Sequence, residues 1–457
     1  MLDRIKELIE NKCPIGSYGI ERETLRVDKE GRLSFKPHPR GLGDKYRNPY
    51  ITTDFSESQI EVITPAFENS KDVFKFVNEL YNVVAVECED EYLWPQSMPC
   101  EIPEEDKIPV AEFGNEEGAI EAEKYRKKLM EKYGGKKQLI SGVHYNFSFS
   151  EELIKGLYND NGNKSDYISF KDNIYLKVTR NYLRYRWLLI YLFGSTSTLH
   201  KTYIDAGECT KCFKEIAVDS FVHEVGISYR NGECGYRNLV DLFPDYISVK
   251  SYVESIKKFI NDDLIDSHKE LYSQIRLKPN DNKDFLNSLL KDGIKYLEYR
   301  TIDVNPFEKS GVALEDLEFL EIFNIFLLLK EESDYELWQQ EALENQNSVA
   351  KFGKKDLNLK RDGKYISKKL WALEILKDIR ELNRELGLNK DEFINIMEDR
   401  VKDVKMTYSY RIEELVKQKG YINTYMDLAI KYKLDAIKEI KNSDIYDKLS
   451  SWINKDL

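Results

Sequence analysis

The spacing of apolar residues divides the chain into a part that alternates like sheet and a part that repeats like helix. Residues 1–12 place Ile5, Leu8 and Ile9 at helical spacing among charges, which predicts a short amphipathic helix. Between residues 16 and 65 the period falls to two. A strand is predicted over 19–27, closed by a turn at 28–31, and another over 59–64 with Ile60, Val62 and Thr64 on one side. Helical spacing returns over 70–89 through Val73, Phe76, Val77, Leu80 and Val84, and again over 119–133, where Gly134 and Gly135 end it. Residues 143–149 alternate strictly, 172–192 read as a buried helix and 293–304 as a strand. After Asn305 and Pro306 the pattern is helical over 315–330, 368–386 and 390–403, with Leu373, Leu376 and Ile379 near one face. The expected fold is therefore α+β: an antiparallel-type sheet interleaved with helices, sheet-rich over 13–308 and mostly helical over 309–457, forming a single unit. The chain contains no internal repeat or low-complexity linker.

The strand period also sorts the chemistry, because residues i and i+2 share a face. It pairs Glu21 with Glu23, Gln59 with Glu61, and Glu298 with Arg300. In 143–149 it separates His144, Asn146 and Ser148 from Val143, Tyr145, Phe147 and Phe149. Asp54 and Glu57 stand just before the second of these segments. A solvated sheet face alternates in the same way, but it is built from Lys, Thr and Ser rather than from this run of acceptors. Carboxylates that face one another repel unless cations lie between them. Hard oxygen donors with one imidazole suit Mg²⁺ or Mn²⁺ rather than a structural zinc. The helix at 119–133 is positioned to cover that face. Arg300, Arg276 and Lys278 are candidates for holding phosphates that accompany such metals, and surface ion pairs are the plain alternative. No Walker loop, dinucleotide fingerprint or HExxH motif occurs, so a nucleotide would be held by sheet and metal.

Composition narrows the classes. Of 457 residues, 41% are hydrophobic, enough for a large core, and 69 basic against 81 acidic side chains leave a net charge of −12. That balance argues against a nucleic-acid binder. No apolar run reaches the roughly 18 residues a membrane span needs, since Glu321 and Asn324 interrupt the densest one. The charged N-terminus does not read as a secretory signal, and six cysteines in so long a chain suggest no disulfide framework, which together predict a cytoplasmic protein. Cys209 and Cys212 form a lone CxxC flanked by His200 and His223. No second CxxC or HxxxH completes a zinc spacing, so the pair is expected to be incidental.

The residues on these strands lie in blocks that resemble the bacterial glutamate–cysteine ligase (γ-glutamylcysteine synthetase) family, which includes the N-terminal part of fused bifunctional glutathione synthetases. The blocks are GIERETLRV (19–27), ITTDFSESQIEVITP (51–65), LWPQSMPC (93–100), ISGVHYNFSFS (140–150), RNYLRYRWLLIYLFG (180–194), ELYSQIRLK (270–278) and YLEYRTIDVNPF (296–307), with TYSYRI (407–412) further on. The resemblance implies a sheet core of the glutamine-synthetase-like type, ATP as co-substrate and Mg²⁺, with Mn²⁺ as the alternative. It implies metal ligands at Glu21, Glu23, Asp54, Glu61, His144 and Glu298. It implies a cysteine pocket at Phe55, Tyr125, Leu129, Gln138, Tyr236 and Tyr272, for which core and helix-face packing is the plain reading. Arg126, Arg230 and Arg300 correspond to arginines that handle carboxylates or phosphates, with Arg300 and Arg230 nearest the transferred group. Asn146, Arg276 and Lys278 are the candidates for the nucleotide side.

The implied reaction joins the γ-carboxylate of L-glutamate to the amine of L-cysteine through a γ-glutamyl phosphate, the first step of glutathione synthesis. No obligate protein partner and no signature of oligomerisation are evident. The sequence ends at Leu457 without the ATP-grasp segment of the fused enzymes, so addition of glycine is expected to fall to another protein. Three other readings fit parts of the pattern: a γ-glutamyl ligase for another amine, a catalytically dead nucleotide-binding protein, and a metal-dependent phosphohydrolase.

Overall fold

A computed structural model describes residues 1–160, 166–204 and 209–440. Along the chain its strands are β1 (Gly16–Val27), β2 (Ile51–Thr53), β3 (Gln59–Ile63), β4 (Tyr92–Leu93), β5 (Val143–Phe149), β6 (Thr198–His200), β7 (Lys214–Ala217), β8 (Ser220–Val222), β9 (Ile275–Lys278), β10 (Tyr296–Ile302), β11 (Asn358–Arg361) and β12 (Lys364–Ser367). The main sheet runs β2-β3-β1-β5-β10-β9, with β4 on the far end of β1. Every pairing in it is antiparallel. Two small antiparallel sheets stand apart, β6-β8-β7 and the hairpin β11-β12.

One face of the main sheet is apolar. Tyr18, Ile20, Ile60, Val62, Val143, Tyr145, Phe147, Leu297 and Tyr299 are fully buried against helices Ser70–Glu87, Tyr167–Phe193 and Leu314–Leu329. The last of these is apolar almost all round and buried along its length, as a helix enclosed on every side must be. Asn69 and Asp166 cap the first two by accepting from the backbone N–H three residues on, at Asp72 and Ser169. The core cluster against this face draws on residues from Ile5 to Ala436, so the helical third supports the sheet.

The sequence expectations hold for these elements, with shifts at the ends. β1 begins at Gly16 because its pairing with β5 continues to Gly16↔Phe149. The face of helix Lys368–Glu385 is set by Trp371, Ala372, Ile375, Leu376 and Ile379, with Leu373 at its margin. One expectation is corrected: Cys209 is disulfide-bonded, and to Cys234 rather than to its CxxC partner. The separation of 25 residues hides the pair from sequence spacing. Among the described residues, no helix is long and apolar enough to cross a membrane.

Candidate active site

The opposite face of the main sheet carries the acids, and strand register brings them together. Glu23 on β1 stands across from Glu61 on β3, and Glu21 across from His144 on β5. Glu298 on β10 faces Asn146 on one side and Arg276 on the other. Side-chain alternation points all of them away from the aromatic core. Glu21, Glu23, Glu61, His144, Arg276 and Glu298 open into a cleft lined also by Asp54, Tyr125, Leu129, Gln138, Arg230, Tyr236, Tyr272, Lys278 and Arg300.

Within the cleft the charges segregate. Donor atoms of Glu21, Glu61 and His144 lie within 4.8 Å of one another. His144 Nδ1 is 3.3 Å from Glu21 Oε2, and its Nε2 is 3.7 Å from Glu23 Oε1. Burial, with Glu21, Asp54, Glu23 and Glu298 around it, pushes the Glu61 carboxyl well above its ordinary range. Burial and then Asp54 raise Glu23 to about 8, against the pull of Arg230 and Arg300. Burial lowers His144, so the imidazole is neutral and available as a ligand. Across the cleft, burial also opposes charge on Glu298, but Lys278, Arg300 and Arg276 hold it well below the usual carboxylate range. Lys278 Nζ lies 2.8 Å from one of its oxygens and Arg300 pairs with the other. One side is thus rich in unneutralised carboxylate and the other in guanidinium and ammonium.

Local structure makes these placements. Register slips in β10 between Tyr299 and Ile302, and this bulge sits where Arg300 turns toward Glu298. Arg230 lies against Gly142, where a Cβ would fall 2.0 Å from its guanidinium and displace it. The Gly142 N–H also donates to Glu23 Oε2 at 2.7 Å. Tyr236 donates to Gln138 Oε1 at 2.8 Å and its ring is tilted against that of Tyr272, with centroids 4.4 Å apart. The buried Gln138 Nε2 has no hydrogen-bond partner.

Three residues expected in the site do not line the cleft. Phe55, just past the end of β2, is buried in a second core cluster with Leu25, Trp94 and Ile140. Arg126 is one step around the helix from Tyr125; it donates to the Asp54 carbonyl and stacks on Phe113 at 4.4 Å. Asn146 is on the right face, but its Nδ2 is spent on Glu21 Oε1 at 2.8 Å. Sequence reasoning missed Lys269 and Ile140, which line the cleft. Ile140 was within a quoted block, but nothing in the pattern marks Lys269.

The glutamate–cysteine ligase family model matches residues 6–264 and 257–349. The chain belongs to the glutamate–cysteine ligase family. It is 39% identical over 433 residues to the glutathione biosynthesis bifunctional protein of Clostridium perfringens, covering 93% of this chain and 55% of that one. The chain thus spans about half the length of the bifunctional relatives. It is 37% identical over 366 residues to the glutamate–cysteine ligase of Clostridium acetobutylicum, covering 73% and 76%. Among solved structures, the Francisella tularensis glutamate–cysteine ligase in complex with AMP superposes with a TM-score of 0.90 at 28% identity, over 96% of this chain and 93% of that one. The bifunctional glutathione synthetase of Pasteurella multocida gives 0.84 at 28% identity, over 98% and 57%. Outside the cleft, Gln96 donates to Ser195 O and Tyr425, and the Val304 N–H donates to Ser97 Oγ at 2.8 Å, which ties the 93–100 segment to the core.

Proposed function

We propose that the protein ligates the γ-carboxylate of L-glutamate to the amine of L-cysteine at the expense of ATP, through a γ-glutamyl phosphate, as one catalytic unit acting in the cytoplasm. The observation that carries this reading is the division of the cleft into an acid-rich side and a cationic side on one sheet face, in a chain of this family. An amide does not form usefully from carboxylate and ammonium in water, so the carboxylate must first be activated. Phosphoryl transfer needs its charge neutralised and its partners held in line.

The donor set fits Mg²⁺ or Mn²⁺: Glu21, Glu23, Asp54, Glu61 and His144 supply carboxylates that repel one another and one neutral imidazole. When bound, such ions neutralise phosphate charge. Arg300, Arg276 and Lys278 offer positive charge to the transferred phosphoryl group. Glu298 holds Arg300 and Lys278 in place, a role beside that of ligand. Arg230, braced against Gly142, is suited to a substrate carboxylate. Tyr125, Leu129, Tyr236 and Tyr272 form an apolar wall that accepts a small thiol-bearing side chain, and Gln138 Nε2 offers it a donor.

The test is phosphate release from ATP, Mg²⁺ and glutamate against a panel of amines. Cysteine-dependent release is expected. Release with another amine alone, or without glutamate, would redirect the reading to a different ligase or a phosphohydrolase. Glu23→Gln is expected to abolish turnover with the fold intact, and near-normal turnover there would remove the metal assignment.

A further inference from the structure

Outside the cleft, Cys209, Cys212, His223 and Cys234 line one pocket. Chain geometry explains the convergence. Cys209 and Cys212 flank a tight turn in which the Phe213 N–H donates to Thr210 O at 2.9 Å. The β7–β8 hairpin follows, and its register pairs Lys214 with Val222. That register sets positions 212 and 213 beside 223 and 224 at the open end of the hairpin. Cys234 arrives from a separate loop and is bonded to Cys209. Cys212 is a free thiol at the surface. His223 is 8% exposed, and neither of its ring nitrogens hydrogen-bonds to another residue. The ring packs against Phe213 and Phe352, and a buried imidazole without a hydrogen-bond partner carries an unmet desolvation cost.

We propose that the reduced form of this cluster is a Cys₃His site for a zinc-class divalent cation. The spacing Cys209-x-x-Cys212, with His223 at the hairpin end and Cys234 from a second loop, supplies the four soft and imidazole donors of a closed tetrahedral site. Forming it first requires reduction of the Cys209–Cys234 bond. Two equivalents of a low-molecular-weight thiol supply the two electrons and two protons, leaving as their own disulfide and leaving two protein thiols. The cation then takes three thiolates and neutral His223, releasing three protons. Cys234 lies between Arg230 and Tyr236, so the ion would tie the loop carrying both cleft residues to the hairpin. The proposal is independent of the ligase reading.

The experiment is metal analysis of the whole chain under anaerobic conditions with excess thiol. Stoichiometric zinc is expected, and Co²⁺ in its place should give thiolate-to-cobalt charge-transfer absorption with tetrahedral d–d bands. Cys212→Ser and His223→Gln should each weaken retention against a chelator by more than ~10-fold, the loss seen when even an outer partner of a ligand is removed. Cys13→Ser and Glu61→Gln should leave the cobalt spectrum unchanged, which separates this site from the carboxylate cleft. The oxidised chain, with Cys13, Cys88, Cys100 and Cys212 free, should bind no thiolate-ligated metal. The proposal is overturned if reduced protein with all six thiols titratable shows no thiolate–metal absorption, or if that absorption is undiminished in either ligand variant.

Discussion

Two groups of buried acids in this protein are treated in opposite ways. Behind the sheet, Glu318 and Glu321 meet the ammonium of Lys390, and Glu321 accepts from Ser70 N at 2.9 Å and Ser70 Oγ at 2.8 Å. Asp316 likewise meets Arg400 Nη1 at 2.8 Å and accepts from Tyr408 at 2.8 Å. On the front face Glu21, Glu23 and Glu61 face one another, and two of the three carboxyls are displaced upward in pKa. A chain that neutralises acids behind the sheet with its own cations leaves acids in front unneutralised, at a cost to folding. On the proposed reading, the front group is a place for charge supplied from outside.

The strongest way to break this comparison is Glu61→Gln. If the front acids await cations, turnover should fall by roughly 10²–10³-fold, the loss that follows removal of one preorganised stabilising group. At pH above the raised Glu61 value, the metal-free variant should also melt higher than metal-free wild type, because a buried, repelled carboxylate is gone. Equal activity, or a lower melting temperature without metal, would place Glu61 in the structural group instead.

Lys390→Met probes the other side. It leaves Glu318 and Glu321 buried against each other, and removing one member of a buried ion pair costs about 3–5 kcal/mol. Denaturant unfolding should register that loss, while turnover per folded molecule stays near wild type. A stability change below about 1 kcal/mol would mean that the pairing behind the sheet is not structural.

How much of this contrast was legible in sequence follows from what periodicity encodes. Alternation alone put Glu21 with Glu23, and His144 apart from Tyr145, because side-chain direction is a local property of strands. It did not reveal that Glu23 faces Glu61 or that Glu21 faces His144, since register is set by pairing between distant segments. Family resemblance named Phe55 and Arg126, but Phe55 packs into a core cluster and Arg126 lies one step around its helix from Tyr125. Lys269 precedes Glu270 in a segment with no regular period and was invisible to pattern. The Cys209–Cys234 contact joins a turn to a separate loop, and neither carries a period that spacing rules read.

Acid–base linkage sharpens the comparison further. The Glu23 carboxyl, near 8 in the folded chain against an ordinary 4.5, takes up a proton on folding between those values. Its stabilising contribution is therefore full below about pH 4.5 and is lost as the pH rises toward 8. In EDTA, the melting temperature of wild type relative to Glu23→Gln should fall across that window. Stabilisation by added Mg²⁺ should grow across it, because the ion displaces the proton. A flat difference between the two proteins would show that the Glu23 carboxyl is not raised in the folded chain.

The smallest expected effect concerns the wall opposite the acids. Tyr236→Phe keeps the ring against Tyr272 and removes the hydroxyl that donates to Gln138 at 2.8 Å. A neutral hydrogen bond of this kind contributes about 1 kcal/mol. If it only orients Gln138 toward the acceptor amino acid, KM for cysteine should rise about fivefold with kcat and the KM for ATP little changed. An equal fall in kcat would instead put Tyr236 in contact with charge that develops during the reaction. The distinction matters because this wall carries no formal charge: its contribution should appear in acceptor binding, whereas that of the acids should appear in turnover.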